Sequence, residues 1–275
     1  MEPKVDCHVH VFDPERFPYS PDTFYRPSGP EIGTASLLGQ LFDAHEVHHA
    51  LLVGPNSGYG LDNRCMLDAL LRGAGRYKGI AVVPNDTGRG ELQELKGLGV
   101  AGIAFNVALL GVEFYRNIGP LLERLRELDM WAQVQVEGDQ LVSLKPPLAD
   151  SGVRLLFDHC GRPFPSAGVG QPGFVELLGL AETGRACVKL SSLSKSSAMP
   201  FPHPDAWPFV KALVEVYTPR ALVWASDWPF LRARERIDYG PLISLMERLV
   251  PDPNARRAIF WETPVRFFGF QREVL

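Results

Sequence analysis

The chain has 275 residues, of which 45% are hydrophobic and 22% charged, enough apolar material to fill one large core. With 28 basic against 32 acidic side chains, its formal charge of −4 leaves no basic stripe for nucleic acid or an anionic membrane. No run approaches the roughly 20 apolar residues needed to cross a bilayer, and the N-terminus reads as a charged strand rather than a secretion signal, so a cytoplasmic protein is expected.

The first predicted strand, 5–10, alternates Val5, Cys7 and Val9 with Asp6, His8 and His10. Alternate strand residues share a face, so the two histidines point together, with Asp6 on their side and the apolar set opposite. A Pro- and Gly-punctuated loop follows over 17–33 and carries Tyr25 and Arg26. Seven more β-branched runs are legible at 50–53, 79–83, 100–106, 131–136, 153–159, 187–191 and 222–227, each trailed by a helical pattern. Ile118, Leu121, Leu122, Leu125 and Leu128 keep three-four spacing, as do Trp207, Val210, Leu213, Val214 and Tyr217. Eight strand-then-helix units without a linker predict a single (β/α)8 TIM barrel over 1–275. The rival doubly wound sheet lacks its glycine-rich turn after the first strand. Four cysteines (Cys7, Cys65, Cys160, Cys187) fall in or beside apolar runs, as reduced buried thiols do.

In a barrel the C-terminal strand ends carry the chemistry. Four of them are polar here: His8 and His10 on strand one, Gln133, Gln135 and Glu137 on strand five, Asp158, His159 and Arg162 after strand six, and Asp227 after strand eight. Asp6 is expected to be structural, Asp158 to orient backbone and Arg162 to brace its loop. His45, His48 and His49 belong to the opposite rim, and His203, between two prolines, reads as a loop residue.

Asp-x-His-x-His on strand one, Asp-His-x-Gly-Arg-Pro over 158–163, Val-Lys-Leu-Ser over 188–191 and Ser-Asp-Trp-Pro over 226–229 resemble the amidohydrolase superfamily. More narrowly, they are similar to its lactonase branch, that of the 2-pyrone-4,6-dicarboxylate lactonases, over nearly the whole chain down to Arg266-Phe267-Phe268-Gly269-Phe270. The superfamily commonly holds one or two divalent metals with the strand-one histidines, histidines after strands five and six, and the strand-eight aspartate. Here Gln135 stands at the strand-five position, and strand four offers Gly102, Ala104 and Asn106 rather than a bridging lysine, so a binuclear site is not expected.

The lactonase branch works without a metal, and the resemblance implies a hydrolase that opens a lactone or related cyclic ester with no cofactor. Asp227 would take a proton from water, while His8, His10 and His159 donate hydrogen bonds to the carbonyl oxygen. Tyr25, Asn106, Gln133, Gln135 and Lys195 are expected to contact the substrate. Ala104 replaces an arginine by which the branch grips a substrate carboxylate, which leaves Lys195 as the candidate for one carboxylate. Lys189, inward with Ser191, needs a carboxylate partner. Two alternatives stay open. One is a mononuclear zinc or manganese enzyme, hydrolase or non-oxidative decarboxylase, with His8, His10 and Asp227 as ligands; the other is a catalytically silent barrel that binds a small acid. A small-molecule lactone or carboxylate is the expected partner, without nucleic acid or membrane; a homo-oligomer is compatible with the aromatic residues Phe260, Trp261, Phe267 and Phe268, which otherwise pack on the barrel bottom.

Overall fold

Each β-branched run pairs in parallel with the next, so the strands follow one another around the molecule in chain order. The computed structural model describes residues 2–271. Its strands are β1 (Lys4–Val9), β2 (Val47–Val53), β3 (Tyr77–Ala81), β4 (Val100–Asn106), β5 (Trp131–Gln135), β6 (Arg154–Phe157), β7 (Ala186–Leu190) and β8 (Leu222–Trp224). A parallel bridge from Val9 to Trp228 closes the circle, with the His10 N–H donating to the Trp228 carbonyl at 2.9 Å. The longer helices are α1 (Ala35–His45), α2 (Arg64–Arg72), α3 (Arg89–Gly97), α4 (Gly119–Glu127), α5 (Gln140–Asp150), α6 (Pro172–Gly179), α7 (Trp207–Tyr217) and α8 (Tyr239–Leu249), with a terminal α9 (Thr263–Phe268). This is the TIM barrel that the strand-helix alternation predicts.

Two apolar layers hold it. Outward residues such as Val9, Leu52, Ile103 and Val134 pack under the helices, including Leu121, Leu122 and Leu125 of α4 and Val210 and Leu213 of α7. Inward residues Val5, Cys7, Leu51, Ile80, Trp131, Leu156, Cys187 and Val223 form the barrel's own core, and Trp261, Val265, Phe268 and Phe270 of the C-terminal segment cap it from below. Phe267 and Phe268 lie against Trp131 at ring separations of 5.2 and 5.3 Å. The bottom of the barrel is therefore stoppered by aromatic rings. His49 stacks on Trp261 and Phe270 at this end, far from the mouth. All four cysteines are buried and free, and no described helix is long and apolar enough to cross a membrane.

Strand β1 departs from the simple alternation. Asp6 pairs with Ala50 and Val9 with Leu52, so β1 spans three steps where β2 spans two. This bulge puts Cys7 in the inner core yet turns the following His8 inward as well. Asp6 does not share the histidines' face. Its carboxylate lies behind the strand, accepting from the Tyr239 hydroxyl of α8 at 2.7 Å and from the Ser226 N–H at 2.9 Å.

Candidate active site

At the C-terminal mouth, three imidazoles converge on one carboxylate oxygen. Nε2 of His8 and of His10 each stand 3.7 Å from Asp227 Oδ1, and Nε2 of His159 stands 3.9 Å away. The His8 ring lies edge-on to His10 and tilted against His159, with centroids 4.9 and 4.6 Å apart. β1 supplies the first two rings through its bulge. The turns after β6 and β8 supply the others in left-handed backbone, with φ of +52° at His159 and +66° at Asp227. Side chains with a Cβ rarely adopt that conformation, and positions that do are concentrated where function needs a particular aim. Asp227 caps no helix: its N–H donates to the His8 carbonyl, and its Oδ2 accepts from Ser192 Oγ at 2.7 Å. Ser192, at φ +50°, is a site residue that the sequence reading did not single out.

Each histidine is held from behind. His10 Nδ1 lies 2.8 Å from the Val53 carbonyl, which only accepts, so Nδ1 carries the hydrogen. His159 Nδ1 meets Ser191 Oγ at 2.9 Å. His8 Nδ1 faces two groups at once, Asp158 Oδ1 at 3.1 Å and Lys189 Nζ at 3.0 Å. Lys189, fully buried, has the carboxylate partner that its inward position demanded, 2.9 Å from Asp158 Oδ1. Gln133 closes the network, accepting from Lys189 at 2.6 Å and donating to Asp158 Oδ2 at 3.0 Å. Asp158 thus holds side chains, rather than the backbone as expected from sequence.

Burial and charge set the protonation of these groups. Burial would raise Asp227, but the facing His159 and His8 hold its carboxyl well below the usual range. Asp158 behaves likewise: against the cost of burial, Lys189 and His8 keep it low and ionised. Burial pushes His159 down to about 3, with Asp227 opposing. His8 is lowered by burial and then by the neighbouring Lys189, with Asp158 working against both. The site therefore presents a carboxylate base beside the His8 and His159 rings, which burial keeps neutral.

Above this floor opens a cavity of about 370 Å³. Asn106, Gln133, Gln135 and Lys195 line it. Two of them have their polar groups engaged: Asn106 donates to Asn56 Oδ1 at 3.0 Å and caps the Leu109 N–H, and Gln133 belongs to the buried network. Lys195 Nζ donates to the Leu231 carbonyl. Tyr25 is not among the lining residues. Its hydroxyl donates to Glu31 Oε2 at 2.5 Å and its ring lies under the Arg232 guanidinium, while Phe24 takes the lining place. Arg162 pairs with Glu137 at 3.0 Å across the rim, and Arg232 and Arg234 of the loop after β8 complete a cationic edge. No sequence signal marked those two, because nothing in a loop's composition tells which arginines turn inward. His203 is buried away from this cavity, with Nδ1 on the Met199 carbonyl.

A divalent cation is the group that the superfamily resemblance implies, and the donor set can be tested against it. One ligand atom each from His8, His159 and Asp227 lie within 4.8 Å of one another, and His10 Nε2 joins them on Asp227. His10 and His8 meet a carbonyl and a carboxylate on their far nitrogens, contacts that metal-bound imidazoles characteristically make. These residues fit one cation; Gln135 fails to add a further nitrogen donor from β5.

Comparison with known proteins agrees with this architecture. The chain is 32% identical over 274 residues to a 4-sulfomuconolactone hydrolase of Rhizobium radiobacter, covering 96% of this chain and 89% of that one. A solved structure from Pseudomonas putida described as a 2-pyrone-4,6-dicarboxylic acid hydrolase is 30% identical, with a TM-score of 0.86 over 99% of this chain and 100% of that one. An amidohydrolase of Burkholderia multivorans with bound zinc has the same fold at 19% identity, with a TM-score of 0.76 over 98% of this chain and 100% of that one. The amidohydrolase family model matches residues 5–270, and with the barrel, the strand-one histidines and the strand-eight aspartate all in place, the chain belongs to the amidohydrolase family.

Proposed function

We propose that the protein is a carboxylic ester hydrolase that opens a lactone, without requiring a metal. The observation that carries this reading is the convergence of three imidazole Nε2 atoms within 3.7–3.9 Å of Asp227 Oδ1 at the barrel mouth. Relatives named as lactone hydrolases over most of the chain support the substrate class. The cationic rim of Arg162, Lys195, Arg232 and Arg234 supports an anionic substituent on that lactone.

His10 takes a different part from the one expected of it. With its hydrogen held on Nδ1 by the Val53 carbonyl, Nε2 turns a lone pair toward the site, so it accepts rather than donates. Asp227 Oδ1 and His10 Nε2, 3.7 Å apart, are then two acceptors between which one water donates both of its hydrogens, aiming its oxygen lone pair into the cavity. The water oxygen attacks the lactone carbonyl carbon as Asp227 receives the proton. Negative charge on the carbonyl oxygen is met by Nε2 hydrogens of His8 and His159. Collapse breaks the ring C–O bond, and the proton held by Asp227 passes to the ring oxygen, giving a hydroxyl and a carboxylic acid whose remaining proton, the second of the water, leaves through His10 Nε2 to solvent as the carboxylate forms. A divalent cation held by His8, His159 and Asp227, with His159 in the place expected of His10, would supply Lewis-acid polarisation of the same carbonyl, which is the mononuclear alternative in a changed ligand set.

Asp227→Asn tests the base. With a panel of anionic lactones read by pH indicator, turnover is expected to fall by about three orders of magnitude or more, while circular dichroism and the melting curve stay those of the parent. Full activity in the folded variant, or no turnover of any lactone by the parent, would overturn the reading. Chelator treatment followed by zinc or manganese addition separates the alternative, in which activity vanishes and returns.

A further inference from the structure

The contact between Lys189 and His8 bears on a choice that the four site residues leave open. Lys189 Nζ has two hydrogen-bond partners, Gln133 Oε1 at 2.6 Å and His8 Nδ1 at 3.0 Å, and forms an ion pair with Asp158 Oδ1 at 2.9 Å. An ammonium donates and accepts nothing, so its contact with His8 requires a lone pair on Nδ1. That puts the hydrogen of the neutral ring on Nε2, the nitrogen that faces Asp227 and the cavity. Asp158 Oδ1, 3.1 Å from the same Nδ1, favours the reverse arrangement, in which Nδ1–H donates to the carboxylate and Nε2 is left bare. In that arrangement Lys189 would turn a hydrogen against another hydrogen. The two buried groups thus compete for one ring nitrogen, and the winner decides whether His8 shows the cavity a donor or a ligand.

We propose that Lys189 is a positioning residue that holds His8 as its Nε2–H tautomer, biasing the site toward a carbonyl oxygen and against a divalent cation. It acts through His8 and touches no reacting atom. No change of net charge is involved, since one hydrogen moves within a neutral ring. The lysine also ties β7 to β1, β5 and the turn after β6, because its three partners come from those elements. A buried lysine on β7 is therefore the means by which the fold sets a tautomer at the mouth. The inference rests on reading His8 as a group that faces the reacting oxygen, yet its test uses no substrate.

The test is a long-range ¹H–¹⁵N spectrum of the full chain, ¹⁵N-labelled at histidine and freed of metal by chelator, together with zinc titration by calorimetry. His8 is expected to be protonated at Nε2, and His10, fixed by the Val53 carbonyl, at Nδ1, so the two rings give opposite patterns in one spectrum. In Lys189→Met the His8 pattern is expected to invert, and zinc to bind about 10- to 100-fold more tightly than to the parent, the range by which second-sphere partners tune metal sites. Protonation of His8 at Nδ1 in the parent would overturn the proposal, as would equal zinc affinity in a variant whose circular dichroism shows it folded. Because the parent spectrum needs no substitution, a variant that fails to fold leaves the proposal open to refutation. If no lactone is turned over while the spectra come out as stated, the functional reading fails and the tautomer assignment stands.

Discussion

Ser192 shows how much of the site depends on a residue without chemistry of its own. Its hydroxyl donates to Asp227 Oδ2 from a left-handed backbone position, leaving Oδ1 as the oxygen turned to the three imidazoles. A hydrogen bond to a charged group is worth roughly 1.5–3 kcal/mol. Ser192→Ala is therefore expected to lower kcat about 10- to 100-fold with KM little altered, checked by steady-state kinetics; an unchanged kcat would show that Asp227 is aimed without it. His8, His10, His159 and Asp227 were legible as a group because paired polar residues at strand ends conflict with the apolar filling that a barrel demands. The need of Lys189 for a carboxylate followed from its inward place on an apolar strand. That Asp158 is this partner could not be read, since the register joining β6 to β7 is set by packing between distant segments. Tyr25 illustrates the same limit: the sequence put an aromatic residue in the right loop, while Phe24 is the one that reaches the cavity.

At the scale of elements, the eight strands were readable because short β-branched runs alternate with three-four apolar spacing. The bulge in β1 was not. Strict alternation sets Asp6 beside His8, whereas the extra residue between Asp6 and Val9 sends Asp6 to the Tyr239 hydroxyl and both Cys7 and His8 inward. A bulge is a property of two strands' registers, and one strand's pattern does not contain it. Gly102 on β4 shows a second constraint between neighbours. A Cβ there would sit 2.4 Å from the Trp131 carbonyl oxygen and 2.8 Å from its Cβ, against backbone that cannot swing aside. Gly102→Ala is expected to destabilise the barrel by about 1–3 kcal/mol, the usual cost of overpacking, read as a lower urea midpoint with an unchanged slope. A midpoint equal to the parent's would mean that β4 and β5 part freely.

For the whole molecule, the buried histidines make stability depend on pH. His159 titrates near 3 when folded, against an ordinary value of 6.5, so between those values the unfolded chain binds a proton that the native state refuses. Its contribution is present above pH 6.5 and is lost as pH falls toward 3. Asp6, raised by burial to about 6 from 3.8, works the other way over the narrower window between those two values, where the native state holds the extra proton. The stability read from urea unfolding is expected to fall on acidification by up to about 1.4 kcal/mol per pH unit for the His159 proton, with Asp6 offsetting that loss between about pH 6 and 3.8, so the fall is steepest below that window. His159→Gln should flatten that slope, and parallel slopes in parent and variant would show that other groups carry it.

The aromatic stopper under the barrel decides the traffic through the site. Trp131, Trp261, Phe268 and Phe270, all buried, fill the floor below His8 and Asp227. Among the described residues nothing opens through the floor, so a ligand that enters past Phe24 and the rim arginines leaves on the mouth side, as from a vessel rather than a tunnel. Arrival and departure share a passage, and each turnover has to empty the vessel before the next molecule can fill it.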